Sequence, residues 1–99
     1  PEPMGKLIRD RIPELLGDQA GTHRQLQDEE FEAALREKLQ EEVQEYLESG
    51  EVMELADILE VVYALGKLDG VTESQLDYFR AEKARDRGTF EEKLYWDGD

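Results

Sequence analysis

Five carboxylates cluster on either side of one short turn in this sequence. Three lie before the turn and two after it: Glu41, Glu42, Glu45, Glu54 and Asp57. Side chains three or four residues apart share a helix face, so Glu42 projects with Glu45. Glu54 projects with Asp57 for the same reason. Carboxylates confined together either rise in pKa or bind a cation, and all-oxygen ligation suits Mg²⁺ or Mn²⁺. The spacing predicts a divalent-cation site, although acids at helical spacing also form ordinary solvated faces.

The acids before the turn lie on an expected amphipathic helix over residues 29–48. Its apolar side chains recur every fourth residue: Phe31, Leu35, Leu39, Val43 and Leu47. Asp28 is the expected N-cap. Ser49-Gly50 is the expected end, because glycine readily takes the left-handed conformation that stops a helix.

The acids after the turn lie on a second expected helix, over residues 52–68, which is apolar on nearly all sides. In an antiparallel hairpin, residues equally far from the turn lie side by side, which places Glu45 level with Glu54. Glu42 is level with Asp57 by the same rule. Four carboxylates are therefore expected to meet across one helix–helix contact.

Shorter elements flank this hairpin. Pro13 suits the first turn of a short helix within residues 6–16, and residues 17–27 are expected to form a polar loop. A capping box that starts at Thr72 predicts a third helix over residues 73–86. The expected fold class is all-α, an antiparallel helical hairpin with flanking helices.

The composition excludes several classes of function. Twenty-six acidic residues face twelve basic ones, and the net charge of −14 repels nucleic-acid polymers while it attracts divalent cations. No stretch suits a membrane span or a signal peptide, so a cytoplasmic location without a membrane partner is expected. Residues 1–99, without cysteine, are expected to form one small domain to which self-association would add burial. Residues 1–4 precede the first patterned residues and are interpreted in part as a processing remnant.

The carboxylates also form a pair of motifs. E-E-x-x-E is present as Glu41-Glu42-Val43-Gln44-Glu45, and E-x-x-D as Glu54-Leu55-Ala56-Asp57. Together they resemble the signature of MazG-like nucleotide pyrophosphohydrolases, in the phosphoribosyl-ATP pyrophosphohydrolase-like superfamily. The segments KLIRDRIPE at residues 6–14 and RGTF at residues 87–90 are similar to the short MazG-like subgroup. The short spacer between the two motifs departs from longer-spaced relatives, whose nucleoside preference is therefore not carried over.

The resemblance implies a fold, an activity and a set of metal ligands. The fold would be a four-helix-bundle core completed by dimerisation, in a homodimer or a homotetramer. The activity would be Mg²⁺-dependent cleavage of the α–β phosphoanhydride of a nucleoside triphosphate, which releases the monophosphate and pyrophosphate. Removal of non-standard nucleotides is one biological role for such an activity. The Mg²⁺ ligands would be Glu42, Glu45, Glu54 and Asp57.

Other side chains receive candidate roles. Glu41 or Glu45 is the candidate general base. The resemblance places basic residues at the candidate phosphate contacts, which are Lys38, one turn before Glu42, together with Lys83 and Arg87. Three other basic residues are expected to pair with surface carboxylates: Arg9, Arg11 and Arg85.

Two other functions are open on the sequence. Hydrolysis of phosphoribosyl-ATP shares the carboxylate pattern, although the segment at residues 6–14 argues against it. A non-catalytic acidic helical module that dimerises or binds metal would have no hydrolytic activity at all. The phosphate-cradling pattern G-x-x-x-x-G-K-[ST] is absent. A polyphosphate would therefore be held through metal and scattered basic side chains, which is compatible with cleavage at the inner anhydride.

Overall fold

The computed structural model of the protein describes residues 5–98, so the interpretation of residues 1–4 lies outside the described residues. Its helices are α1 (Ile12–Leu16), α2 (Asp28–Ser49), α3 (Val52–Leu68) and α4 (Glu73–Arg87). No strand occurs between residues 5 and 98, which confirms the all-α class. In that same part of the chain, no helix has both the length and the apolar character needed to cross a membrane.

The two ends of α2 are set by different devices. Gln27 has an extended backbone (φ −76°, ψ 163°) and is the N-cap, so the prediction of Asp28 is wrong by one residue. The Glu30 carboxylate accepts a hydrogen bond from the Gln27 N–H at 3.5 Å and so satisfies a backbone donor that lies outside the helix. At the other end Gly50 is left-handed (φ 69°), and its N–H donates to the Tyr46 carbonyl at 2.7 Å. The expected glycine stop is confirmed.

The segments that flank the hairpin begin and end close to the expected residues, and one of them contains a 3-10 turn that was not expected. The Thr72 hydroxyl accepts from the Gln75 N–H at 3.1 Å and starts α4, which runs one residue further than expected before Gly88. The polar loop expected over residues 17–27 instead opens with a 3-10 turn over Gly17–Ala20. Glycines at positive φ lie at the start of this turn and just after it, and they let the chain change direction without a Cβ clash.

The hairpin of α2 and α3 contains the small apolar core. Between residues 5 and 98 the only buried apolar side chains are Leu35, 2% exposed, and Val61, 8% exposed. A four-residue repeat advances about 40° around a helix at each step, so the apolar stripe of α2 winds away from α3. Leu47, the last residue of that stripe, is 69% exposed. Glu42 lies seven residues after Leu35, two turns along, and therefore returns to the inner face.

One side of α3 is apolar and exposed to solvent; we call it the outer face of α3. Its members are 45–75% exposed: Val52, Met53, Leu55 and Leu59. The accessible surface is 9211 Å², whereas a compact monomer of 11.5 kDa exposes about 5,800 Å². The radius of gyration is 17.1 Å, against about 13 Å for a compact chain of this length. The chain on its own therefore leaves more surface uncovered than a compact monomer does, and the apolar outer face of α3 is part of it.

Candidate metal centre

Glu42 is the buried centre of the carboxylate group. It is only 6% exposed, because its place on the inner face of α2 turns it toward α3. Its Oε1 lies 3.3 Å from the Lys38 ammonium, but its Oε2 is buried and has no hydrogen-bond partner within residues 5–98. Burying a carboxylate oxygen without a hydrogen-bond donor costs free energy, so we expect a cation or a further donor at this atom.

The other acids surround Glu42 in two overlapping groups. Glu42 lies with Glu41 and Glu45 in one group, and with Glu54 and Asp57 in the other; in each group one oxygen per residue lies within 4.8 Å of the others. The level pairing of Glu42 with Asp57 across the hairpin is therefore present. The single four-carboxylate contact expected from the sequence is replaced by two triads that share Glu42. Residues three apart differ by about 60° around a helix, which turns Glu45 toward the edge of the contact.

Lys38 is an internal counter-ion of this group. Its ammonium lies 3.2 Å from Glu41 Oε2 and 3.3 Å from Glu42 Oε1. Burial disfavours the ammonium charge, but the two carboxylates together outweigh that effect and raise the pKa of Lys38 above its ordinary value. Lys38 therefore stays cationic and neutralises part of the acidic cluster, at the position where a phosphate contact is expected.

Arg9 reaches the opposite side of the cluster. Its Nη2 lies 2.7 Å from Asp57 Oδ1, although the two residues are 48 positions apart. Arg9 pairs with a carboxylate, as expected from the sequence, but the partner is a candidate metal ligand. Arg11 pairs locally with Glu14 at 3.1 Å, as expected. No sequence signal short of the full fold connects Arg9 with Asp57.

The other basic residues with predicted roles do not pair with the carboxylate cluster. Lys83 lines a groove between α3 and α4, beside Leu59 and Phe79. Arg87 is the last residue of α4. Between residues 5 and 98, neither makes an ion pair with the carboxylates of the hairpin. Arg85 pairs with Glu82 at 3.5 Å on the surface, as expected.

Like charges raise the pKa of two of the acids. Glu42 is the main cause for Glu45, and burial and Glu54 raise the pKa of Glu45 further. Burial is the main cause for Glu54, followed by the charges of Asp57 and Glu42. Both carboxylates thus hold protons more tightly in the folded, metal-free chain than in the unfolded chain. The folded state is strained by this crowding once all of them ionise.

The crowding predicts a pH-dependent effect of Glu54→Gln on the stability of the metal-free chain. Folding raises the pKa of Glu54, so the contribution of its carboxyl group to the stability of the fold depends on pH. That contribution is most favourable below the ordinary pKa of 4.5 and is lost as the pH rises through the pKa of the folded state. The melting temperature of Glu54→Gln in EDTA should therefore match the parent at pH 4 and exceed it at pH 7. Glu37→Gln, at an exposed position of α2, is the control with the same change of charge. A difference that shrinks as the pH rises would contradict the crowding.

Comparisons of the chain with protein-family models, with curated proteins and with solved structures find no match.

Proposed function

We propose that this chain is a Mg²⁺-dependent nucleoside triphosphate pyrophosphohydrolase whose metal centre is the carboxylate cluster of the α2–α3 hairpin. The observation that carries the proposal is the buried Oε2 of Glu42, which has no hydrogen-bond partner in the described part of the chain, in a residue surrounded by other acids. An ordinary solvated face would leave its acids exposed, whereas Glu42 is buried against α3. The motifs that resemble the MazG-like family pass through the same residues and supply the type of reaction.

The donor set fits a hard divalent cation. Every candidate ligand is a carboxylate, and oxygen donors of this kind suit Mg²⁺, with Mn²⁺ as the alternative ion. Glu42, Glu54 and Asp57 would hold the ion between the two helices, and Glu45 would complete the set from the edge. When bound, Mg²⁺ would supply charge neutralisation and Lewis acidity at the polyphosphate. The residues of the chain would orient the substrate and move the proton.

Glu45 is the stronger candidate for the general base. It makes no ion pair within residues 5–98, so its carboxylate is free to accept a proton from the attacking water. Glu41, the other candidate, is ion-paired with Lys38 at 3.2 Å. Lys38, Lys83 and Arg87 remain the proposed phosphate contacts, and of these Lys38 lies beside the cluster.

We also propose that the functional unit is a homodimer, in which a second copy covers the outer face of α3. The chain exposes about 3,400 Å² more surface than a compact monomer of its mass. Obligate dimer interfaces bury roughly 2,000–5,000 Å² in total, or about 1,000–2,500 Å² on each chain, so such an interface would remove between about a third and three-quarters of that excess. A second hairpin against the first would also complete a four-helix bundle.

The identity of the products tests the reaction. The full chain is incubated with a panel of nucleoside and deoxynucleoside triphosphates and phosphoribosyl-ATP, with Mg²⁺ or with EDTA. We expect a nucleoside monophosphate and pyrophosphate, resolved by anion-exchange chromatography, with Mg²⁺ only. The expectation follows from the family motifs and from the missing glycine-rich cradle for γ-phosphate transfer.

Other outcomes discriminate between the alternatives. A nucleoside diphosphate as first product would make the reaction wrong, even with the metal site intact. Turnover of phosphoribosyl-ATP alone would favour the related hydrolase. Mg²⁺ binding without hydrolysis of any member of the panel would favour the non-catalytic metal-binding module.

A further inference from the structure

We infer that Arg9 belongs to this site and that its side chain changes partner when the metal binds. Without metal, its guanidinium neutralises Asp57, as the 2.7 Å contact shows. With metal on Asp57, the guanidinium transfers to a phosphate of the bound polyphosphate. The first half concerns only the cation site, and the second half rests on the proposed function.

The contact is placed by the fold. Arg9 precedes α1, and its carbonyl accepts a hydrogen bond from the Ile12 N–H at 3.1 Å, which ties its backbone to the start of that helix. Between residues 5 and 98, the Arg9–Asp57 pair is the only hydrogen bond or ion pair that joins the segment before residue 21 to the hairpin. The side chain therefore reaches Asp57 from an element that is otherwise separate.

A purely stabilising role explains this contact poorly. The Arg9 and Asp57 side chains are 56% and 40% exposed, and an ion pair so open to water contributes little to folding. An exposed pair is also easily exchanged. The planar guanidinium fork matches carboxylate and phosphate oxygens equally well, so one side chain can serve both partners.

The positive charge of Arg9 predicts the direction in which its removal changes the affinity for Mg²⁺ and the affinity for polyphosphate. A guanidinium beside Asp57 repels a dication that approaches the same carboxylate, so removing Arg9 should strengthen the binding of Mg²⁺ alone. The same guanidinium attracts a polyphosphate, so removing it should weaken polyphosphate binding once Mg²⁺ is present. A residue that only supports the fold would move both affinities in the same direction or neither.

Isothermal titration calorimetry of the full chain tests the inference with two probes. Against Mg²⁺ alone, Arg9→Gln should bind about tenfold more tightly than the parent at low salt. Against inorganic tripolyphosphate at saturating Mg²⁺, the same variant should bind about tenfold more weakly. Arg11→Gln makes the same charge change two residues away, at a residue paired locally with Glu14, and should stay within twofold of the parent in both titrations. Arg9→Lys should restore part of the tripolyphosphate affinity.

The opposite signs make the inference easy to overturn. Equal Mg²⁺ affinities for Arg9→Gln and Arg11→Gln would refute the counter-ion half, and equal tripolyphosphate affinities would refute the phosphate half. Failure of the parent to bind tripolyphosphate would count against the phosphate half and the proposed substrate together, while the Mg²⁺ titration still decides the rest. Conversely, opposite shifts in a chain that hydrolyses no nucleotide would support the role of Arg9 and contradict only the proposed reaction.

Discussion

Replacing Glu42 by glutamine should reduce Mg²⁺-dependent hydrolysis by at least about 100-fold and weaken Mg²⁺ binding at least about tenfold. The reason lies in Glu42, the residue that both carboxylate triads share, whose buried Oε2 has no hydrogen-bond partner within residues 5–98. Glutamine keeps the shape of the side chain but removes the charge that would hold the cation. Loss of several kcal/mol of charge stabilisation at the metal accounts for the expected magnitude. Calorimetry and steady-state rates measure the two effects separately.

The same variant should remain folded in EDTA, because the loss of the contact with Lys38 is offset by relief of the repulsion between neighbouring acids. Its acidic neighbours repel Glu42, and the repulsion raises the pKa of Glu45. Glu37→Gln, on the exposed side of α2, is the matched control and should leave rate and affinity unchanged. Asp57→Asn should resemble Glu42→Gln, because Asp57 belongs to the triad across the hairpin. Parental Mg²⁺ affinity in both variants would remove the metal centre from the proposal.

The helices were predictable because their ends depend on local chemistry. Gly50 stops α2 in the left-handed conformation, and the Thr72 capping box starts α4; both devices can be read within four residues of sequence. The N-cap of α2 was misplaced by one residue because Asp28 and Gln27 compete for that role. A carboxylate three residues after Gln27, on Glu30, accepts its N–H and favours the earlier cap.

The position of the acids in the hairpin was only partly predictable. Their spacing correctly indicates that Glu42 faces Asp57 across the turn. The burial of Glu42 depends on how α2 is rotated against α3, and the apolar stripe with its four-residue repeat misleads on this point. The stripe ends at the exposed Leu47, while the seven-residue step from Leu35 to Glu42 marks the inner face.

The contact of Arg9 with Asp57 was beyond sequence reasoning for a different reason. Forty-eight residues separate the pair, and neither belongs to a local pattern that names the other. Such a contact follows from the path of the chain through α1 and the 3-10 turn, which charge and hydropathy do not determine. The long-range contacts of a site are therefore the part for which coordinates are needed, even when its ligands are visible in the sequence.

The outer face of α3 is the surface through which the proposed homodimer would form. We expect Leu59→Asp to weaken self-association by about 1,000-fold, so that sedimentation velocity at low micromolar concentration shows particles near the 11.5 kDa chain mass instead of a dimer. In a twofold dimer the substitution occurs twice, and each copy loses a buried leucine worth roughly 2 kcal/mol, in addition to the desolvation of an aspartate.

Two further variants keep this test independent of folding. Val52→Asp lies on the same face, is 75% exposed in the single chain, and places an acid in the first turn of α3, where the helix dipole favours it. It should dissociate the dimer without harming an isolated hairpin. Leu15→Asp in α1 makes a similar change at a leucine off the outer face and should leave the sedimentation unchanged. A parent chain that sediments as a folded monomer, or a Val52→Asp variant that remains dimeric, would contradict pairing through the outer face of α3.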